Sequence, residues 1–160
     1  MSTVNLILQT LHNLGRWLLL IAALVAILRA IIGWIRQQDF TRADERAGLI
    51  FTILMDIQVL LGLILFFSKG WAGVLVSDPS TAMSTEAIRF FAVEHLVVML
   101  LALAAAHIGR ARTRKAAAAV VKHTSAAFWY LMALLLVLVA VPWPFYSSGR
   151  PLLRLFGITL

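Results

Sequence analysis

Four long apolar runs divide the chain, and charged residues collect in the segments between them. The runs cover about residues 4–35, 47–67, 87–108 and 125–143. Each run supplies the ~20 residues that a helix needs to cross ~30 Å of hydrocarbon. None of them alternates polar and apolar positions as the strands of a membrane β-barrel do. The pattern therefore predicts an all-α fold, an integral membrane four-helix bundle formed by residues 1–160 as a single domain.

Composition supports the membrane assignment and excludes several kinds of chemistry. Hydrophobic residues make up 62% of the chain and the mean hydropathy is +0.94, whereas soluble domains are closer to half apolar. The absence of cysteine excludes thioether-linked haem, cysteine-ligated clusters and disulfides. Residues 1–15 contain no Lys or Arg, which is not typical of a removable signal peptide. We therefore expect the first helix to be a permanent membrane span.

Basic residues are unevenly distributed between the two sets of connecting segments. Segments 36–46 and 109–124 hold eight Lys or Arg residues, whereas 1–11, 68–86 and 144–160 hold three. The positive-inside rule then predicts that both basic loops are cytoplasmic and that both termini are outside a bacterial inner membrane. A basic tract beside a helix end contacts lipid headgroups, so we expect the bilayer as a partner and no nucleic acid.

The four histidines are the main candidate ligands. If the first helix begins near residue 4, His12 shares a depth with His95 near the outer surface, while His107 and His123 lie near the inner surface. His95 and His107 are separated by ~120° around their helix, so they can face different neighbours. Pairs of neutral imidazoles from separate helices are typical ligands of a b-type haem. The sequence thus predicts one or two haem b groups, with two pairs of iron ligands.

A structural interpretation of these histidines competes with the first. A histidine near the membrane surface costs little, so His107 and His123 also fit roles as headgroup or helix-cap contacts. His95 is deeper, beside Glu94, and is harder to explain without a functional role. The two pairs therefore stay open at this point.

Four further ionisable residues are expected within the membrane. Arg16 follows His12 by one helical turn and can pair with a haem propionate or with Glu94. Asp56, near the middle of the second helix, is a candidate proton or quinone contact together with Arg29 and Glu94. The structural alternative is two interhelical salt bridges, Arg16–Glu94 and Arg29–Asp56. No catalytic constellation and no spacing typical of zinc ligands is present.

The chain resembles the small four-helix membrane proteins known as cytochrome b in Bacteroidetes and related bacteria. The likeness extends over LHNLGRWLLLIAALVAILRAIIGW, FTILMDIQVLLGLILFF, FFAVEHLVVMLLALAAAHIGRARTRK and KHTSAAFWYLMALLLVLVAVPWPF. The resemblance implies haem b and membrane electron transfer, and it maps onto His12, His95 and His123. In that family the second helix often has histidine where this chain has Asp56. Either His107 substitutes for it, or only one haem or none is bound.

These observations favour a b-type cytochrome, a membrane electron-transfer subunit that passes electrons between a quinone pool and a partner. We expect an electron carrier rather than a stand-alone catalyst, in contact with other membrane or redox subunits. The competing hypothesis is a cofactor-free accessory subunit of a respiratory or photosynthetic membrane complex. A proton-coupled carrier that uses Asp56 and Arg29 is disfavoured, because the sequence has no inverted repeat or broken mid-membrane helix.

Overall fold

The computed structural model describes residues 3–156 and 158–159, and it confirms the all-α fold. Four long helical segments are each long and apolar enough to cross a membrane, as expected of a multi-pass membrane protein. They are α1 (Thr3–Ile35), α2 (Arg42–Ser68), α6 (His95–Lys115) with its preceding turns, and α7 (Ala119–Ala140). Short helices connect α2 to α6: α3 (Trp71–Ser77), α4 (Pro79–Ser84) and α5 (Glu86–Arg89).

The long helices form a closed square in cross-section. α1 packs against α2 and α7, and α6 packs against the same two helices. α1 and α6 therefore lie diagonally across the interior rather than side by side. We call the end formed by the loops 36–41 and 116–118 the basic end, and the opposite end, near the short helices, the cavity end.

Small residues allow the closest helix contact, between α6 and α7. Ala102 and Ala106 of α6 and Ala133 of α7 are completely buried, as is typical of membrane helices that pack through small side chains. The outward faces carry large apolar residues, for example Ile21, Leu60 and Leu135, which are each at least half exposed. A monomeric soluble protein rarely exposes so much apolar surface. This arrangement suits contact with lipid.

Three helices extend further at the basic end than the apolar runs predicted. α2 begins at Arg42 because Thr41 and Asp44 form a reciprocal capping box there. α6 continues to Lys115 and α7 begins at Ala119, so charged residues prolong both helices beyond the apolar runs. Their long aliphatic stems can lie along the helix while the charges reach water.

Two prolines end α7 earlier than predicted. Its last residue is Ala140, and Val141 is extended with ψ of 127°. Val141 precedes Pro142, whose ring disfavours helical geometry in the residue before it. Pro144 follows two residues later and has no N–H to continue the helix.

A single π-helical turn, Phe90–Glu94, leads into α6. The backbone N–H of His95 donates to the carbonyl of Phe90, five residues earlier. Turns of this kind contain one extra residue and are frequent at functional sites. The extra residue changes the rotation of α6 relative to the segment before it, so it sets the direction in which His95 points.

Asp78 caps the start of α4, one of the short helices that connect α2 to α6. Its carboxylate accepts hydrogen bonds from the Thr81 backbone at 3.1 Å and from the Ser80 hydroxyl at 2.8 Å. These bonds, chiefly those from Thr81, lower the pKa of Asp78 because they stabilise the charged form. Asp78 is thus the N-cap of α4.

The C-terminal tail lies along α1. The Leu152 carbonyl accepts hydrogen bonds from Arg16 and Trp17, and the Phe156 N–H donates to Thr10. Two short antiparallel strands, β1 (Arg154–Leu155) and β2 (Ile158–Thr159), end the described chain. The tail therefore covers one side of the cavity end.

Candidate functional site

His12 and His95 face each other across the interior of the bundle. Their ring centroids are 6.4 Å apart and the ring planes are inclined by 73°. His12 lies on α1 and His95 begins α6, the two helices that are diagonal in the square. Because α1 begins at Thr3, His12 shares the depth of His95, as predicted for a first helix that begins near residue 4.

A cavity surrounds this histidine pair at the cavity end. It contains about 1270 Å³ of empty space, counted out to its open mouth. Leu19, Val59, Met99 and Val137 form much of its apolar wall, one from each long helix. A mostly apolar cavity with a few convergent polar groups is the usual form of a cofactor site.

The orientation of His95 is determined by a free carbonyl at the end of α7. Its Nδ1 lies 2.7 Å from the carbonyl oxygen of Ala140. In a continuing helix this carbonyl would accept from the N–H of residue 144, but residue 144 is a proline. A carbonyl can only accept, so His95 Nδ1 carries the proton and donates it. The lone pair of a neutral ring then lies on Nε2, available to a ligand.

The other proline frees a second carbonyl, which has a different partner. The carbonyl of Leu138 would require the N–H of residue 142, which is also a proline. It accepts instead from the indole Nε1 of Trp143 at 2.8 Å. The two prolines thus leave two carbonyls, of which one is capped by Trp143 and the other orients His95.

The position of His12 is fixed by contacts between α1 and α2. The buried Gln58 amide donates to the His12 carbonyl at 2.8 Å. Gly15 permits this approach, because a Cβ there would lie 2.5 Å from Gln58 Oε1. Gly62 gives space to the His12 ring itself, since a Cβ at that position would lie 3.2 Å from His12 Cε1.

Several polar atoms that line the cavity lack a partner within the described part of the chain. They are Gln9 Oε1, His12 Nδ1, Arg16 Nε and Gln58 Oε1, and all are buried. Buried polar groups in native proteins are nearly always hydrogen-bonded. The set contains both acceptors and a cationic donor, so it suits a ligand with polar substituents.

Arg16 is buried at this cavity, but its predicted salt bridge with Glu94 is wrong. The side chain is 8% exposed and donates from Nη2 to the Leu152 carbonyl. Glu94 instead pairs with Arg89 at 2.7 Å, on the outside of the bundle. Glu94 and His95 are adjacent, so their side chains point ~100° apart around the helix. When His95 points into the bundle, Glu94 therefore points out of it. Arg16 therefore keeps its Nε free for a ligand.

The predicted Arg29–Asp56 salt bridge is also wrong. Arg29 pairs with Asp44 at 2.9 Å and so joins the end of α1 to the start of α2. Asp56 Oδ1 lies 2.7 Å from His107 Nε2, and this pair links α2 to α6. Both side chains are about half exposed on the outside of the bundle, and Asp56 is near the midpoint of α2. Ionisable side chains at that depth in a membrane are costly, so they usually have a partner or a function.

The structure does not bring His107 and His123 together as an inner ligand pair. His107 points to α2, whereas His123 is 1% exposed and packs against Phe40 with ring centroids 4.9 Å apart. A Cβ on Gly33 would lie only 2.1 Å from the His123 ring, so α1 fills the space beside it. Within residues 3–156 and 158–159, neither ring nitrogen of His123 has a hydrogen-bond partner. The predicted inner pair required the His107 side chain to point from α6 towards α7, but it points towards α2.

The separation of His12 and His95 fits two ligands of a haem iron. An iron held by both histidines would bind one ring nitrogen of each, and two metal–imidazole bonds of ~2 Å would leave the ring centres ~6 Å apart. The observed 6.4 Å separation agrees with that requirement. A porphyrin supplies four further nitrogens, so two histidines are sufficient. No group of three or more metal-binding side chains occurs among the described residues, so a bare ion would have only these two.

The sequence analysis singled out His12, His95 and Arg16, which the structure places at one cavity, but it did not identify the residues that position them. Gln58, with its bond to the His12 backbone, carries no recognisable motif. The carbonyl of Ala140 could have been found, because VPWPF places prolines four residues after Leu138 and Ala140. That spacing indicates two free carbonyls at the end of a helix.

Comparison of the chain with protein-family models, with curated proteins and with solved structures found no match. The site must therefore be interpreted from its own geometry.

Proposed function

We propose that the protein is a b-type cytochrome, a membrane electron-transfer subunit with one haem b between His12 and His95. When bound, haem b supplies a one-electron redox centre whose potential depends on its axial ligands and surroundings. The observation that carries this proposal is the diagonal histidine pair at a mostly apolar cavity, with His95 Nδ1 donating to the Ala140 carbonyl. A hydrogen bond from the other ring nitrogen to a carbonyl orients a ligating histidine and increases its basicity.

Other residues of the cavity have supporting roles in this proposal. Arg16 would pair with a propionate, because it is a buried cation with an unpaired Nε at the cavity wall. The tail would exclude water: the Arg150 guanidinium lies 4.9 Å above the ring of Phe91, and both residues line the cavity.

A haem titration of the purified protein in detergent tests this assignment. We expect one equivalent to bind with a low-spin spectrum, and His12→Ala and His95→Ala to give a high-spin spectrum or to lose binding. Leucine at either position should not restore it, because bulk does not replace a nitrogen lone pair. His107→Ala is the matched control and should bind as the wild type does. Low-spin binding by His95→Ala would contradict the proposal.

We further propose that His107 and Asp56 form the contact with the quinone pool. The pair is half exposed near the middle of the bundle, where a membrane-soluble quinone can reach it from the lipid. His107 would donate from Nδ1 to a quinone carbonyl as the doubly protonated imidazolium, while its Nε2–H would donate to the Asp56 carboxylate, which holds the ring in place. Photolabelling with an azidoquinone should modify peptides of α2 and α6 and should decrease in His107→Ala. An unchanged pattern in that variant, with His123→Ala as control, would contradict this role.

The proposal includes a location in the bacterial inner membrane with the basic end in the cytoplasm. It rests on the eight-to-three distribution of basic residues between the two ends. A reporter fused after Arg114 should be active in the cytoplasm, and one fused after Pro79 should be active outside. The reverse result would place the haem site on the cytoplasmic side.

A further inference from the structure

A second cavity opens at the basic end, between the start of α2, the end of α6 and the start of α7. It contains about 640 Å³ of empty space out to its mouth. Four cationic side chains line it: Arg42, Arg110, Arg114 and Lys122. The site proposed above lies at the opposite end of the bundle, so this cavity has no part in it.

The charges around this cavity do not balance. Its two carboxylates are Asp44 and Glu45, and Asp44 is already paired with Arg29 outside the lining. Within the described residues, none of the four cations lies in an ion pair with a carboxylate. Arg110 makes only a long hydrogen bond, 3.5 Å, to the backbone carbonyl of Glu45. An excess of cations that converge on one cavity favours an anion, most readily a phosphate.

The surroundings of the cavity favour a lipid over a soluble ion. The ring of Phe40 lies 5.6 Å from the Lys122 ammonium, so the wall presents apolar surface beside charge. Deeper along α2 and α6, Ile50 and Ile108 are exposed on the outside of the bundle. The cationic mouth is therefore continuous with apolar surface, as a headgroup followed by acyl chains requires.

We propose that this cavity binds the phosphate of an anionic phospholipid from the membrane leaflet at the basic end. Arg110 and Lys122, both partly buried, would contact the phosphate directly, and Arg42 and Arg114 would lie at its rim. Basic cavities between membrane helices bind anionic headgroups in this way. The bound lipid would join α2 to α6 and α7 at a place where the described residues form no ion pair between those helices.

Native mass spectrometry of the protein, extracted from membranes of mixed lipid composition, tests this proposal. The wild type should retain one phosphatidylglycerol or cardiolipin in preference to phosphatidylethanolamine. In R110Q/K122Q the preference for the anionic lipid should fall roughly five-fold for each basic side chain removed. The control R36Q/K115Q loses the same charge at the same end, but neither residue lines the cavity, and it should behave as the wild type.

Three results would overturn the proposal. Equal losses in the two double variants would indicate diffuse surface charge, and equal retention of phosphatidylethanolamine would indicate no anion site. Displacement of the lipid by inorganic phosphate at millimolar concentration would assign the cavity to free phosphate instead. Should R110Q/K122Q fail to fold, R114Q with R36Q as its control gives the same comparison with a smaller effect.

Discussion

His95 and His107 lie on one helix, yet their surroundings are opposite. His95 faces His12 at the cavity, and its Nδ1 donates to the Ala140 carbonyl. His107 is half exposed outside the bundle and contacts Asp56. The two positions differ by about a third of a turn, which is sufficient to move a side chain from the diagonal of the square to its outer edge. Rotation relative to the neighbours, as well as depth, decides what a membrane histidine can bind.

The same contrast holds between the two buried histidines His12 and His123. Both carry a buried ring nitrogen that has no hydrogen-bond partner among the residues the structure describes. His12, however, borders a large cavity, whereas His123 is enclosed by Gly33 and Phe40. An unpaired imidazole therefore indicates a ligand only where there is also room for one.

Apart from replacement of His12 or His95 themselves, the largest effect on the cavity end should come from restoring the helix that the prolines stop. In Pro142→Ala/Pro144→Ala, α7 can continue and the N–H of residue 144 can bond the Ala140 carbonyl. His95 would then lose its acceptor, and we expect haem affinity to fall by ~10–100-fold. A haem titration measures it, with Pro79→Ala in the outer connection as control. Unchanged affinity would show that the carbonyl does not position His95.

The tight packing at the basic end predicts a stability effect of intermediate size. A methyl group on Gly33 would collide with the rigid, buried ring of His123, so Gly33→Ala should lower the free energy of unfolding by about 1–3 kcal/mol. Gly73→Ala is the control, because a Cβ at that helical position would meet no atom within 4 Å. Unfolding in detergent should separate the two variants. Equal stability would mean that His123 is less confined than the structure indicates.

Removal of the buried cation should have a smaller effect on the same site. Arg16→Gln should weaken haem binding by roughly ten-fold, since it removes a charged hydrogen bond. It should also lower the reduction potential, because a nearby cation favours the reduced, more negative form of the haem. Redox titration measures the shift. Arg29→Gln, which breaks the pair with Asp44 towards the opposite end of the bundle, should leave both values unchanged, and a shift of equal size there would indicate a general charge effect.

The smallest effect is expected at the other two histidines. His107→Ala/His123→Ala should retain the full haem content, because these residues do not face each other and His123 borders neither of the two cavities. Haem per protein, measured as the pyridine complex, provides the comparison. A loss of about half would restore the hypothesis of a second haem at the basic end.

The fold was predictable because apolar length alone defines a membrane helix, and the four runs became the four long helices. The pairing of His12 with His95 followed from their depths once α1 began at Thr3. The partners of Arg16, Arg29, Asp56 and Glu94 could not be predicted, because depth does not fix rotation or the order of helices around the bundle. The π turn before His95 adds a further rotation that has no sequence signal.

The absorption spectrum of the purified wild-type protein, recorded as reduced minus oxidised, tests the haem assignment most directly. Two axial imidazoles predict the sharp bands of a low-spin b-type haem, with one haem for each chain. A spectrum without a Soret band, after expression with sufficient haem, would contradict the assignment. It would favour the accessory subunit, in which His95 only joins α6 to the end of α7.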